Sequence, residues 1–191
     1  MGLKLNLGCG SDFRDGYLNV DKFGEPELQV DLETFPWPWE DNSVSEIVMQ
    51  HVLEHLGRDT ETYLNIITEM YRVCENSAKI LIEVPHPRHD TFLYDPTHVR
   101  PVTPESFGLF SQKLNQQWIE NNAPNSLLGV FLNVDFEITK TTFALDEHWA
   151  VRRNAGEINQ EDLKHAIKSF NNVIKSINLE LEVIKPGRYK K

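Results

Sequence analysis

Residues 5 to 11 read Leu-Asn-Leu-Gly-Cys-Gly-Ser, and the next apolar run, Tyr17-Leu-Asn-Val20, ends on Asp21. The order predicts a strand, a glycine turn and an acid at the end of a second strand, all facing one ligand. Gly8 and Gly10 let the main chain adopt positive φ and approach a ligand closely, and a carboxylate at position 21 can accept from both hydroxyls of a ribose. A nucleoside-containing cofactor is the first expectation. A dinucleotide-binding turn would carry a third glycine at position 13, which is Phe13. Only ten residues separate Gly10 from Asp21, so the crossover helix shrinks to a turn or two around Asp12 to Asp15. Little helix dipole is left to hold phosphates, and a cofactor without them suits the loop better. Taken alone, G-x-G also describes a tight turn with no ligand, so the rest of the chain must decide.

Working outward, strands are predicted at residues 3 to 7, 17 to 20, 27 to 31, 44 to 50 and 78 to 84. The run Ile80-Leu-Ile-Glu-Val84 is apolar on both faces in places, as in a parallel sheet covered by helices on each side. A helix is predicted from Asp59 to Glu75, with Asp59 as N-cap and Tyr63, Leu64, Ile67, Met70, Tyr71 and Cys74 as its buried stripe. Thr103-Pro104-Glu105 opens a second helix, with Phe107, Phe110, Leu114 and Trp118 on its apolar face. A third runs from Asn159 to Ile177, carrying Leu163, Ala166, Ile167, Phe170, Val173, Ile174 and Ile177 on one side. The β runs Val134 to Leu145 and Leu179 to Ile184 can pair as an antiparallel edge. The expected fold is α/β: a Rossmann-like, doubly wound, mostly parallel sheet with an antiparallel edge strand near the C-terminus. One domain should span residues 1 to 191, its cofactor core in 1 to 100 and substrate-covering helices and final strands in 101 to 191.

Composition narrows the partners. The formal net charge is -10, which disfavours a nucleic-acid partner, because binding there depends on neutralising phosphates with Lys and Arg. The basic tail, Lys185 to Lys191, is expected to be a solvated, frayed terminus. Cys9 and Cys74 form no spaced framework and the N-terminus lacks a signal-peptide core, so a reducing, cytoplasmic setting is expected. No apolar stretch approaches the roughly 20 residues of a membrane span. Oligomeric state is not legible.

Residues 30 to 56 add Asp31-Leu32, the Pro-aromatic segment Phe35-Pro-Trp-Pro-Trp39, Asp41-Asn-Ser43, the strand ending in Gln50, and Leu53-Glu-His55. With the glycine loop and Asp21, this order resembles the class I S-adenosylmethionine-dependent methyltransferases, in particular the small type-11-like group, over roughly residues 3 to 100. The resemblance implies that Asn6, Leu7, Gly8, Cys9 and Gly10 line the methionine and ribose side of S-adenosylmethionine and that Asp21 takes the ribose hydroxyls. It implies further that Asp31 accepts from the adenine amino group, that the Leu32 N–H meets the ring, and that Gln50 and His51 close the far side. Two departures stand out. Asn6 replaces a frequent acid, and Arg72-Val-Cys-Glu-Asn-Ser-Ala78 lacks the usual glycine pair while keeping Asn76 as a residue able to take a left-handed conformation.

Histidines crowd the same end. Five of the seven, at 51, 55, 86, 89 and 98, fall in loops beyond the carboxyl ends of predicted strands, where open parallel sheets bind ligands. His51 and His86, each directly after a strand, are candidate bases, and His55, His89, Asp95, His98 and Arg100 are candidates to face the substrate or to anchor the loop over it. Ser111 to Asn133 and the third helix are expected to cover the acceptor. His51-Val-Leu-Glu54-His55 also spells the inverted zinc-peptidase signature, but that chemistry needs the motif well inside a helix, so no metal is expected. The sequence thus predicts methyl transfer to a small polar acceptor, with oxygen as the acceptor atom because an alcohol needs a base, releasing S-adenosylhomocysteine. The alternatives are a cofactor-binding module without catalysis and metal-assisted chemistry at the histidine-rich loop.

Overall fold

The computed structural model describes residues 2 to 189; the last two lysines of the basic tail lie outside them. Seven strands form one sheet: β1 (Leu3–Leu7), β2 (Leu18–Asp21), β3 (Leu28–Gln29), β4 (Val44–Gln50), β5 (Cys74–Pro85), β6 (Phe136–Leu145) and β7 (Ile174–Val183). Their spatial order is β3-β2-β1-β4-β5-β7-β6. Strands β1 to β5 are mutually parallel, and β7 runs antiparallel to both of its neighbours. The mostly parallel Rossmann-like sheet of the sequence reading is therefore present, with the antiparallel strand one in from the edge.

One face of the sheet makes the core. Leu5, Leu7, Ile47, Met49, Ile80, Ile82, Ile177 and Leu179 alternate along their strands and are buried together. Helix α1 (Thr60–Val73) packs there through Tyr63, Ile66, Ile67, Met70 and Val73, and Asp59 caps it by accepting the Thr62 N–H at 2.9 Å. The other face is polar. Glu46 pairs in register with Lys79, and Lys79 with Glu182, while Gln50 pairs with Glu83 and Glu83 with Asn178. Helical cover on each side is thus replaced, on this face, by charged side chains and by the segment after β1.

That segment forms turns instead of the expected short helix. Side chains hold it: the buried Asn6 Nδ2 donates to Asp12 O at 2.8 Å and to Asn19 Oδ1 at 2.9 Å, and Asn19 Oδ1 also accepts the Arg14 N–H at 2.8 Å. Asn6 and Asn19 are register partners on β1 and β2, so one amide pair fixes the loop to two strands.

Four further expectations are corrected. Strand β5 begins at Cys74, directly from α1, and the left-handed residue in this stretch is Ser77 (φ 62°), while Asn76 accepts the Lys185 N–H at 2.8 Å. The helix expected after Thr103 is broken into α3 (Pro104–Gly108) and α4 (Gln112–Glu120). Ser111 caps α4, and its side chain competes with continuation of the helix. The helix expected to Ile177 ends at Ser169 as α7 (Gln160–Ser169). Asn172 turns left-handed (φ 58°), and past Val173 the chain continues as a strand with the β-branched Ile174 and Ile177. Finally, the basic tail is fastened as far as Tyr189: Arg188 Nε and Nη2 donate to the buried Asp135 at 2.7 and 2.8 Å. Short helices α2 (Asp90–Leu93), α5 (Leu128–Leu132) and α6 (Glu147–Asn154) complete the described chain. No helix among the described residues is long and apolar enough to cross a membrane.

The Pro-aromatic segment is clamped from α1. Glu69 accepts the Trp37 N–H at 2.6 Å, and Arg72 reaches Glu69, Asp41 and the carbonyls of Trp37 and Trp39. The Arg72 guanidinium and the Trp37 N–H hold the Glu69 carboxyl below its ordinary pKa despite burial. Its contribution is therefore complete at neutral pH and is lost as acidification passes through that depressed value. Glu69→Ala should cost about 2 to 3 kcal/mol, the lower side of a broken buried ion pair because Arg72 keeps contact with water. Urea unfolding at pH 7 and at acid pH checks this, with the difference between variant and parent shrinking at the lower pH.

Candidate functional site

Chain direction reverses between β1 and β4. From β1 the chain turns back to β2 and β3, whereas from β4 it goes through α1 to β5, so a crevice opens at their carboxyl ends. The glycine loop enters it with Gly8 at φ 68° and Gly10 at φ 50°. A side chain on Gly8 would meet Val52 Cγ2 at 2.3 Å, so glycine is demanded here by the protein's own packing as well as by any ligand.

Asp21 stands at the end of β2 with both oxygens fixed: Oδ2 accepts the Gly10 N–H at 2.8 Å and Oδ1 the Phe23 N–H at 2.9 Å. It lines a largely apolar cavity of about 240 Å3 together with Val30, Leu32, Val52 and Leu56. Asp31 lies across this cavity, paired with Lys22 at 2.7 Å, and that ammonium holds its carboxyl below the usual range. Leu32 is positioned by its carbonyl, which accepts the Trp37 indole N–H at 3.0 Å. Phe23, unremarked in the sequence, also lines the cavity and is exposed.

A second space of about 250 Å3 adjoins it, lined by Asn6, Gly8, Cys9, Asp12, Gln50 and His51. Leu7 points into the hydrophobic core instead. The loop's main-chain donors are spent: the Gly8 and Cys9 N–H groups both go to Val20 O and the Gly10 N–H to Asp21. With no helix following them, they form no phosphate cradle. A carboxylate beside an apolar slot, without that cradle, fits the adenosine and methionine parts of S-adenosylmethionine and disfavours a pyrophosphate.

The third cavity is larger, about 590 Å3, and its walls include His51, Glu54, His55, Glu83, Asp95, His98, Lys175 and Ser176. His51 borders all three spaces. It ends β4 in a left-handed conformation (φ 55°), and its Nδ1 lies 3.5 Å from Glu54, whose carboxylate raises the imidazole pKa. Gln50 accepts from Arg14 at 2.9 Å and donates to Glu83 at 3.2 Å, closing the rim beside it.

The remaining histidines divide sharply. His86 lines none of these spaces; its Nδ1 accepts the Arg88 N–H at 3.1 Å, and burial followed by the nearby Arg88 lowers its pKa. His89 is buried, caps α2 and reaches Asp146 at 3.3 Å, pinning the chain where β6 enters α6. Arg100 anchors: it donates to Gly57 O at 2.9 Å and lies 4.2 Å over the Tyr63 ring. His55, Asp95 and His98 do face the cavity. None of its lining residues comes from 111 to 133. Lys175 and Ser176 were hidden from sequence reading because their segment resembles helix and is strand.

No described protein family matches the sequence, and no curated protein does. Solved structures do match. A SAM-dependent methyltransferase from Archaeoglobus fulgidus superimposes with a TM-score of 0.62 at 18% identity, over 95% of this chain and 86% of that one. A SAM-dependent methyltransferase from Methanosarcina mazei gives 0.52 at 13%, over 95% and 92%. The [4+2]-cyclase SpnF gives 0.50 at 14%, over 96% and 75%. The chain has the fold of the class I SAM-dependent methyltransferases. Since a cyclase shares it, the activity must be argued from the site.

Asp21→Ala should weaken S-adenosylhomocysteine binding by about 1.5 to 3 kcal/mol, a charge-assisted hydrogen bond, in calorimetric titration. Unchanged affinity would remove the ribose assignment.

Proposed function

We propose that this chain transfers the methyl group of S-adenosylmethionine to an oxygen of a small polar acceptor, releasing S-adenosylhomocysteine. The observation that carries the reading is the meeting of the adenosine-sized slot, the glycine-loop space and the histidine-lined cavity at one residue, His51. A volume of about 590 Å3 suits a small-molecule acceptor.

The cofactor, when bound, supplies a methyl carbon already activated by its sulfonium. The chain does the rest by placement. Asp21 and the Leu32 main chain hold the nucleoside; Asn6, Cys9, Asp12 and Gln50 surround the amino-acid end. Holding acceptor and methyl donor in line accounts for most of the acceleration. The Glu54 charge 3.5 Å from Nδ1 favours the imidazolium that forms when His51 Nε2 takes the acceptor's proton. His86 has no part in this, being outside the cavity.

Three measurements test the reading together. S-adenosylhomocysteine should bind one per chain, with NAD at least about 100-fold weaker because no pyrophosphate cradle exists. Labelled methyl should pass from the cofactor to members of a panel of small hydroxylated acceptors. His51→Asn should slow that transfer roughly 100-fold and weaken S-adenosylhomocysteine binding far less than that, since proton removal is felt in the transition state. Equal or tighter NAD binding would overturn the cofactor assignment. Tight S-adenosylhomocysteine binding without transfer to any acceptor would leave a binding module.

A further inference from the structure

Glu54 is 1% exposed, yet neither of its carboxylate oxygens receives a hydrogen bond. A carboxylate buried in this way is costly unless something positive comes to it. The nearest candidate, His51 Nδ1, stops 3.5 Å away. Two other side chains converge on the same point: one ligand atom each from Glu54, His55 and His98 lies within 4.8 Å of the others.

Each imidazole is held from its far side through Nδ1. His98 Nδ1 lies 2.9 Å from the carbonyl of Phe92, which can only accept, so Nδ1 donates there and Nε2 is the nitrogen left without a hydrogen bond, 3.8 Å from Asp95 Oδ2. His55 Nδ1 lies 2.9 Å from Thr97 Oγ1, and that hydroxyl is already donated to Asp95 at 2.6 Å. His55 therefore also donates through Nδ1, which leaves Nε2 without a hydrogen bond. A buried carboxylate and two imidazoles whose Nδ1 atoms are engaged elsewhere thus converge with no hydrogen bond among them. Outer partners that fix the Nδ1–H tautomer are the usual support of histidines that bind metal through Nε2.

We propose that Glu54, His55 and His98 form a binding site for a divalent first-row transition ion, of the zinc class, on the wall of the acceptor cavity. Two imidazoles and one carboxylate favour such an ion over magnesium or calcium, which prefer oxygen throughout. Bond lengths of about 2.1 Å set ligand atoms about 3.4 Å apart, so binding draws the three side chains inward by about 1 Å. The remaining coordination positions open to the cavity, where His51 also lies. If the methyl-transfer reading holds, the acceptor hydroxyl occupies one of them. The ion then lowers that hydroxyl's pKa, its proton goes to His51, the oxygen bonds to the methyl carbon, and the carbon–sulfur electron pair stays on sulfur. The motif that spells a zinc peptidase therefore contributes Glu54 and His55 to a different set, in which His98 from the far loop replaces His51.

Cobalt(II) titration of the full chain, stripped with a chelator and followed by visible ligand-field absorption, tests the site without any assay of turnover. The parent should saturate at one ion per chain, and Glu54→Gln and His98→Ala should bind at least about 10-fold more weakly. Stripped Glu54→Gln should melt no lower than the stripped parent, because it loses a buried unpaired charge, and cobalt should raise the melting temperature of the parent alone. Absence of ligand-field bands in the parent, or equal binding by Glu54→Gln, overturns the site. Calorimetry with S-adenosylhomocysteine on the same samples separates this failure from failure of the cofactor assignment, since Glu54 does not line the nucleoside slot.

Discussion

The arrangement rests on a constraint of chain direction: β1 and β4 are parallel neighbours whose continuations leave toward opposite edges of the sheet. No connection can then bridge the gap between their carboxyl ends, and the loops leaving them must line it instead. Everything assigned to ligand binding follows from that gap. The glycine loop and Asp21 stand on one side, Gln50 to His55 on the other, and Asp31 with Leu32 arrives as a third wall. Parallel pairing at the centre of the sheet is buried on its packed face by Leu5, Leu7, Ile47 and Met49, so the crevice has a rigid floor.

With only turns between β1 and β2, side-chain polarity takes over the work that packed helices do elsewhere. The Asn6 and Asn19 amides tie the cofactor loop to adjacent strands, and Glu27 secures Asn19 in turn through bonds of 2.8 and 2.7 Å. Glu69 and Arg72 perform the same task for the Pro-aromatic segment. Buried polar networks of this kind are favourable only when each member is satisfied, and these are. Such loops are fastened without a continuous apolar face, which explains how a sheet can leave one side to charged residues and still hold a site in register.

The part of the fold visible in the sequence was the part carried by local pattern. Strands β1, β2 and β4 and helix α1 announced themselves through apolar runs, glycine and an Asp cap. The broken helix at Ser111 did not, because Phe107, Phe110 and Leu114 keep helical spacing across a capping serine. Phe170, Val173, Ile174 and Ile177 likewise satisfy a helical period, but the helix stops before Phe170, Asn172 turns left-handed, and the β-branched Ile174 and Ile177 enter β7. The candidate site was legible where a backbone feature marked it, as at Gly8, Asp21 and His51. It was illegible where distant segments meet: Glu83, Lys175 and Ser176 converge only through antiparallel pairing of β5 with β7. The histidines after β5 were the hardest, since only tertiary contacts separate His98, in the cavity, from His89, a pin.

The segment between β6 and β7 has packing of its own. Helices α6 and α7 gather around a small apolar cluster of their own, Ile158, Leu163, Ala166 and Val173, separate from the main core. They join the sheet at the mouth, where β6 ends and β7 begins, and hydrogen bonds from Arg88 and His89 hold them there. Neither helix lines the histidine-rich cavity or the two spaces beside it; the cavity takes only Ala144, Lys175 and Ser176 from the strand ends that carry them. Substitutions inside this cluster are therefore felt by the helical hairpin's own fold before they reach the crevice beside β1 and β4.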